Sequence, residues 1–87
     1  MKKKAIKFEA PWCGACLAFT PTWKEVKSEN TEWEFEEINV DEYSETAEKY
    51  GIMSIPTMVL EVDGRVLEKV KGGLSKKQLI DKLNSWK

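Results

Sequence analysis

Lys4-Ala5-Ile6-Lys7-Phe8-Glu9-Ala10-Pro11-Trp12-Cys13-Gly14-Ala15-Cys16 is the stretch on which the fold turns. Ile6 and Phe8 fall on one face at a period of two, so Lys4 to Glu9 reads as a short strand. Pro11 has no backbone N–H to give a ladder and ends it. From Cys13 the spacing changes. Cys16, Phe19, Thr20, Trp23 and then Val26 or Lys27 recur at the helical period. Pro21 falls inside that helix, where it removes one backbone bond and is expected to kink it. The pattern is a strand passing into a helix, with two cysteines at the junction.

Working outward, Glu34 to Val40 reads as a second strand. Asp41 or Ser44 is expected to cap a short helix whose Tyr43, Ala47 and Tyr50 share a face, and Gly51 stops it. Thr57 to Val62 and Arg65 to Lys71 are β-rich runs joined by Asp63-Gly64, a two-residue hairpin turn signal. Gly72-Gly73 breaks the second run. The last helix opens with Ser75 and Gln78 as a capping box and Leu74 with Leu79 as a staple, and its apolar stripe is Leu79, Ile80, Leu83 and Trp86. The order β-α-β-α-β-β-α predicts an α/β fold with one mixed four-stranded sheet and helices on both faces. The first two strands are expected to be parallel and the last two to form an antiparallel hairpin. Residues 1–87 are read as one domain, which at this length buries only about 60% of its unfolded surface.

Composition narrows the chemistry. The 87 residues hold two cysteines and no histidine; 41% are hydrophobic and 33% charged. Two cysteines without histidine do not make the four ligands of a structural zinc site within one chain, so no metal is expected. They are also too few for a secreted disulfide framework. Ser-His-Asp and Cys-His catalysis are excluded. Met1-Lys2-Lys3-Lys4 looks like the basic head of a signal peptide, but Glu9 arrives before an apolar core can form, and no stretch approaches a membrane span. The chain is therefore read as cytoplasmic. Net charge is −1, divided as +3 over residues 1–30, −9 over 31–63 and +5 over 64–87. This reads as a solvated mixed surface without a nucleic-acid footprint.

What chemistry remains lies in Cys13 and Cys16. Cys13 stands at a helix N-terminus, where free N–H groups and the positive end of the macrodipole favour an anion. A thiolate there is stabilised, and the C-x-x-C spacing adds a second thiol as donor. Cys16, one turn further in, is expected to be more buried and slower to ionise. An exposed nucleophile with a shielded resolver can attack a disulfide and then release itself. A bare C-x-x-C also fits half of a metal site shared by two chains, or two small core residues.

Pro11-Trp12-Cys13-Gly14-Ala15-Cys16 resembles the active-site segment of the thioredoxin family. Pro21, Asn39-Val40-Asp41 with Tyr50-Gly51-Ile52, Ser54-Ile55-Pro56-Thr57 and Lys71-Gly72-Gly73-Leu74-Ser75 match further family segments in the same order. The resemblance covers nearly the whole chain and lacks the N-terminal strand and helix of full-length thioredoxins, leaving a minimal form of glutaredoxin size. It implies a thioredoxin-like fold and a protein-disulfide reductase with no permanently bound cofactor. It also implies a cis Ile55-Pro56 bond beside the cysteines. From the residues alone, Pro56 would be a trans proline at the start of a strand. Backbone groups of Ile55 would pair with an extended substrate segment, and Trp12, Ile55 and Gly72 or Gly73 would frame an apolar groove next to Cys13.

The sequence departs from the family at informative places. Lys7 stands where the family has a buried aspartate, and Glu37 where it often has a lysine on the neighbouring strand. The pair is read as retained with its signs exchanged, so that Glu37 accepts the proton of Cys16 and Lys7 serves as its counter-charge. Glu9 adds an acid near the cysteines, which would disfavour a thiolate. Ala15 beside Gly14 replaces the usual proline between the cysteines, a position that influences potential. The expected partners are protein disulfides, with a ribonucleotide reductase as one conceivable client, and an NADPH-dependent thioredoxin reductase as electron source; a monomer is expected. The alternatives are a glutaredoxin-like enzyme recharged by glutathione, which Gly72-Gly73 suggests but Ser75 and the Gly-Ala dipeptide do not, and a non-catalytic peptide- or metal-binding module.

Overall fold

The structure is a computed structural model that describes residues 1–86. Strands β1 (Lys3–Glu9), β2 (Glu34–Asn39), β3 (Thr57–Val62) and β4 (Arg65–Lys71) alternate with helices α1 (Gly14–Glu29), α2 (Ser44–Lys49) and α3 (Lys76–Asn84) in the expected order. The sheet order is β2-β1-β3-β4. β1 and β2 are parallel, a pairing that needs a crossover, and α1 supplies it. β3 runs antiparallel to both β1 and β4. Asp63 and Gly64, with φ of 51° and 82°, make the hairpin turn, and the left-handed backbone explains glycine there.

The two central strands are buried on both faces, so their alternating side chains feed two cores. Ala5, Met58 and Leu60 pack under α1 and α3 with Phe19, Trp23, Val26, Leu79 and Leu83. Ile6, Phe8 and Val59 pack under α2 with Ala47. Lys7 follows from the same alternation: it lies between Ile6 and Phe8, points to the α1 face, and keeps only 1% of its surface. The second strand stops at Asn39, one residue before the expected end.

Two capping expectations fared differently. Ser75 and Gln78 form the full capping box of α3. The N-cap of α2 is Tyr43, without a side-chain cap bond. Asp41 does not cap because its carboxylate accepts the indole N–H of Trp12 at 2.7 Å, and Ser44 is already the first helical residue. At the far end of α2, the Tyr50 hydroxyl donates to the buried Glu61 on β3. Burial first, then the bond to Glu61 and its charge, push the Tyr50 phenol up to about 12. Pro21 stands inside α1, which continues across it.

Leu79 is fully buried at the contact between α3 and the sheet. Leu79→Ala is expected to cost about 2–5 kcal/mol, because the lost contacts are joined by a residual cavity. Urea denaturation of the oxidised chain measures it, and an unchanged midpoint would show that α3 is not part of the cooperative core.

Candidate active site

Pro11 and Trp12 turn the chain from the end of β1 into α1, and Cys13 becomes the N-cap with extended backbone. The Cys13 N–H donates to the carbonyl of Ala10 at 3.1 Å. Its sulfur then does what a capping oxygen does elsewhere, accepting the N–H of Cys16 at 3.1 Å. Partial negative charge on Sγ is favoured at this terminus. Cys13 and Cys16 are joined as a disulfide, with Cα atoms 5.2 Å apart. Cys16 keeps 1% of its surface and Cys13 7%. The inequality has the expected sign, but Cys13 is less open than a freely exposed nucleophile, because Ala10, Val40 and Ile55 pack around the pair.

The loop before β3 completes the outer side. The Ile55-Pro56 bond is cis, and the carbonyl oxygen of Ile55 lies 3.9 Å from Cys13 Sγ. Trp12, Val40, Ala47, Ile52, Met53, Ser54 and Ile55 line an apolar groove there. Trp12 is 69% exposed, held at its indole N–H by Asp41, and Met53 is 89% exposed. Gly72 and Gly73 do not line this groove. Gly72, at φ 87°, donates its N–H to the carbonyl of Pro56 at 2.8 Å and so braces the loop from behind. Gly73 sits against Phe19, where a Cβ would come within 3.5 Å of that side chain.

Beneath Cys16 is a second cavity of about 340 Å³, whose lining includes Lys7, Glu9, Thr20, Trp23, Lys27 and Glu37. Lys7 and Glu37 are register partners on β1 and β2, yet they are not each other's counter-charge. The Lys7 ammonium pairs with Glu9 at 2.8 Å and donates to the Thr20 hydroxyl at 3.3 Å. Glu37 accepts from the Trp23 indole at 2.9 Å and pairs with Lys27 at 3.1 Å. The reason is reach: Glu9, two residues along β1, lies on the same face as Lys7, while Lys27 and Trp23 on α1 stand over β2. Partial burial raises the Glu37 pKa, but the bonds from Trp23 and Lys27 and the lysine charges outweigh it and hold the carboxyl below its usual range. Thr20 and Lys27 also line this cavity, and Asp41 holds Trp12 beside the outer groove; the sequence places Thr20 and Lys27 only on the helical stripe and Asp41 only in a family-like segment and as a possible cap, whereas it marks Glu9 as an acid near the cysteines.

Among the described residues no cluster of three or more His, Cys, Asp or Glu side chains could hold a metal ion, and no helix is long and apolar enough to cross a membrane. The thioredoxin family model matches residues 1–85. The chain belongs to the thioredoxin family. It is 42% identical over 78 residues to a thioredoxin of Bacillus subtilis, spanning 88% of this chain and 75% of that one. It is 36% identical over 78 residues to a thioredoxin of Mycoplasmoides gallisepticum, spanning 90% and 78%. The thioredoxin of Fasciola hepatica superposes with a TM-score of 0.92 at 29% identity, over 99% of this chain and 82% of that one. With its cysteines paired at the start of α1, this thioredoxin-family chain is a thiol-disulfide oxidoreductase acting on protein disulfides.

The depressed Glu37 pKa has a signed consequence for stability. Its contribution is fully present above the carboxyl's unfolded pKa and is lost as the pH falls from there through the folded value. Because the side chain is partly exposed, the loss is expected to stay below about 1 kcal/mol. Urea midpoints of the oxidised chain at neutral and acidic pH should therefore fall less steeply for Glu37→Gln than for wild type; parallel acid dependences would contradict the assignment.

Proposed function

We propose that the chain works in the reducing direction, with Cys13 as nucleophile and Cys16 as resolver. The Cys13 thiolate attacks one sulfur of a substrate disulfide, and a mixed disulfide forms as the other sulfur leaves. Cys16 then attacks Cys13 Sγ; the substrate departs reduced and the Cys13–Cys16 disulfide is left behind. The observation that carries this reading is the capping sulfur of Cys13, set beside the Ile55 carbonyl at the end of an apolar groove. An extended substrate segment would lie along Trp12, Ile55 and Pro56, its backbone pairing with Ile55 by strand addition. Gly72 supports the Pro56 loop, Gly14 and Ala15 form the start of α1, and Pro21 lies within it. Gly73 packs behind the site. Glu37 takes the resolver's proton through water in the cavity beneath Cys16.

The proposed setting is the cytoplasm, where thiol pools favour reduced products. The proposed electron source is an NADPH-dependent flavoprotein reductase, with the chain acting as a monomer on protein disulfides. Ser75 supports this over glutathione: it is a neutral cap already engaged by Gln78, so the last helix offers no acidic group to a tripeptide.

Insulin reduction tests both parts. Turnover is expected with NADPH and a thioredoxin reductase, and much less with glutathione and its reductase; the reverse ranking would overturn the donor assignment. Cys13→Ser should abolish turnover, whereas Cys16→Ser should trap substrate on Cys13, visible as an added mass that dithiothreitol removes. Asp41→Ala frees the Trp12 indole, so KM for a protein disulfide should rise up to about tenfold, the scale of one net hydrogen bond, with kcat changing little. An unchanged KM would remove Trp12 from the binding surface.

A further inference from the structure

Lys7 is the only basic side chain buried among the described residues, and it lies in the cavity that Cys16 also lines. Its ammonium donates to Thr20 Oγ1 at 3.3 Å, and that hydroxyl donates to the carbonyl of Cys16 at 3.0 Å. Thr20 stands about one helical turn beyond Cys16, about 6 Å along the axis. The rings of Phe19 and Trp23 lie 5.7 and 5.5 Å from the ammonium. All of these α1 residues, at positions 16, 19, 20 and 23, share the face that looks onto β1. Stability alone gives a weak reason for a charge here, since a packed apolar side chain of similar volume would do as well or better.

The chemistry supplies a stronger reason. A thiol buried in apolar surroundings resists ionisation, and Glu37, held by Trp23 and Lys27, is a weak base. Some group must narrow that gap before Cys16 can attack. The charged groups that line the cavity are Glu9 on β1, Glu37 on β2, and Lys24 and Lys27 on α1, besides Lys7 itself. Lys27 and Glu37 pair with one another and Lys24 is exposed, which leaves Lys7, paired with Glu9, as the one buried charge among them.

We propose that Lys7 is a positioning residue for the resolving step: its ammonium, moderated by Glu9 and linked through Thr20, stabilises the thiolate of Cys16. The inference rests on Cys16 being the resolver. In the mixed disulfide Cys16 gives its proton to water in the cavity and on to a carboxylate. Its sulfur bonds to Cys13 Sγ, the Cys13–substrate bond breaks, and the electron pair leaves on the substrate sulfur, which takes a proton. The substrate is reduced by two electrons, and the Cys13–Cys16 dithiol is oxidised by two.

Single-turnover stopped flow with a chromophoric aromatic disulfide separates attack from resolution, and the second phase is read against pH. Lys7→Met should move the second-phase profile upward by about one pH unit. A tenfold smaller thiolate fraction, partly offset by greater nucleophilicity, lowers the rate near neutrality about threefold and lets it overtake wild type in alkali. Glu9→Gln should move the profile the opposite way, and Lys7→Arg should keep it at the wild-type position. Opposite shifts support the proposal. Unmoved profiles, or shifts of one sign, overturn it. Should Lys7→Met fail to fold by circular dichroism, Glu9→Gln decides alone, since a downward shift supports the proposal and any other result sinks it. A wild-type chain with no second phase at all would instead remove the resolver reading beneath it.

Discussion

The N–H of Cys16 donating to the sulfur of Cys13 is the interaction on which the rest depends. A helix must begin somewhere, and its first N–H groups need acceptors. Most helices find an oxygen; here the acceptor is a sulfur of the redox-active disulfide. One contact thereby ends the strand-to-helix turn, places Sγ at the positive end of α1, and holds the second cysteine a single turn away on the inner face. The parallel pairing of β1 with β2 requires α1 to cross the sheet, and that crossover leads the helix out from the end of β1 beside the loop that carries Pro56. Site and fold therefore share a cause.

That constraint was legible in the sequence because it is local. A change of apolar period between Phe8 and Cys16, a proline at the change, and an Asp-Gly turn later in the chain are each decided within a few residues. So are the capping box at Ser75 and the burial of the Leu79 and Leu83 stripe. What spacing could not decide was the choice among partners that local rules leave equal. Asp41 was as plausible a cap for α2 as an anchor for an indole 29 residues earlier in the chain, and the fold gives it to Trp12. Lys7 and Glu37 do neighbour each other across β1 and β2, as their strand positions suggested. Each then found a better partner on its own side, Glu9 along the same strand and Lys27 from the helix above.

The two sides of the disulfide carry different physics. Outward, around Cys13, the surface is apolar and open: Trp12, Ile52, Met53 and Ile55 offer area for recognition, and polar groups enter through backbone. Inward, around Cys16, the cavity is lined by lysines and glutamates that are nearly all paired. Recognition needs surface that sheds water readily. Moving a proton needs an acceptor within reach of the sulfur, directly or through one water. In the proposed mechanism the nucleophile works on one side and the resolver on the other, which keeps these requirements from competing.

Trp23 is where the inner side is held together. Its ring packs edge-on to Phe35 at 5.0 Å and near Phe19 at 5.9 Å, which ties α1 to β2 and to the core. The same ring faces the Lys7 ammonium, and its N–H donates to Glu37. One side chain thus offsets part of the cost of burying a cation with its π face and fixes the neighbouring carboxylate with its edge. A smaller apolar residue would leave Lys7 less compensated and remove the indole bond that holds Glu37 alongside Lys27. The indole thus holds Glu37 by its edge and faces Lys7 with its ring, while Glu9 and Lys27 give the two charges separate partners.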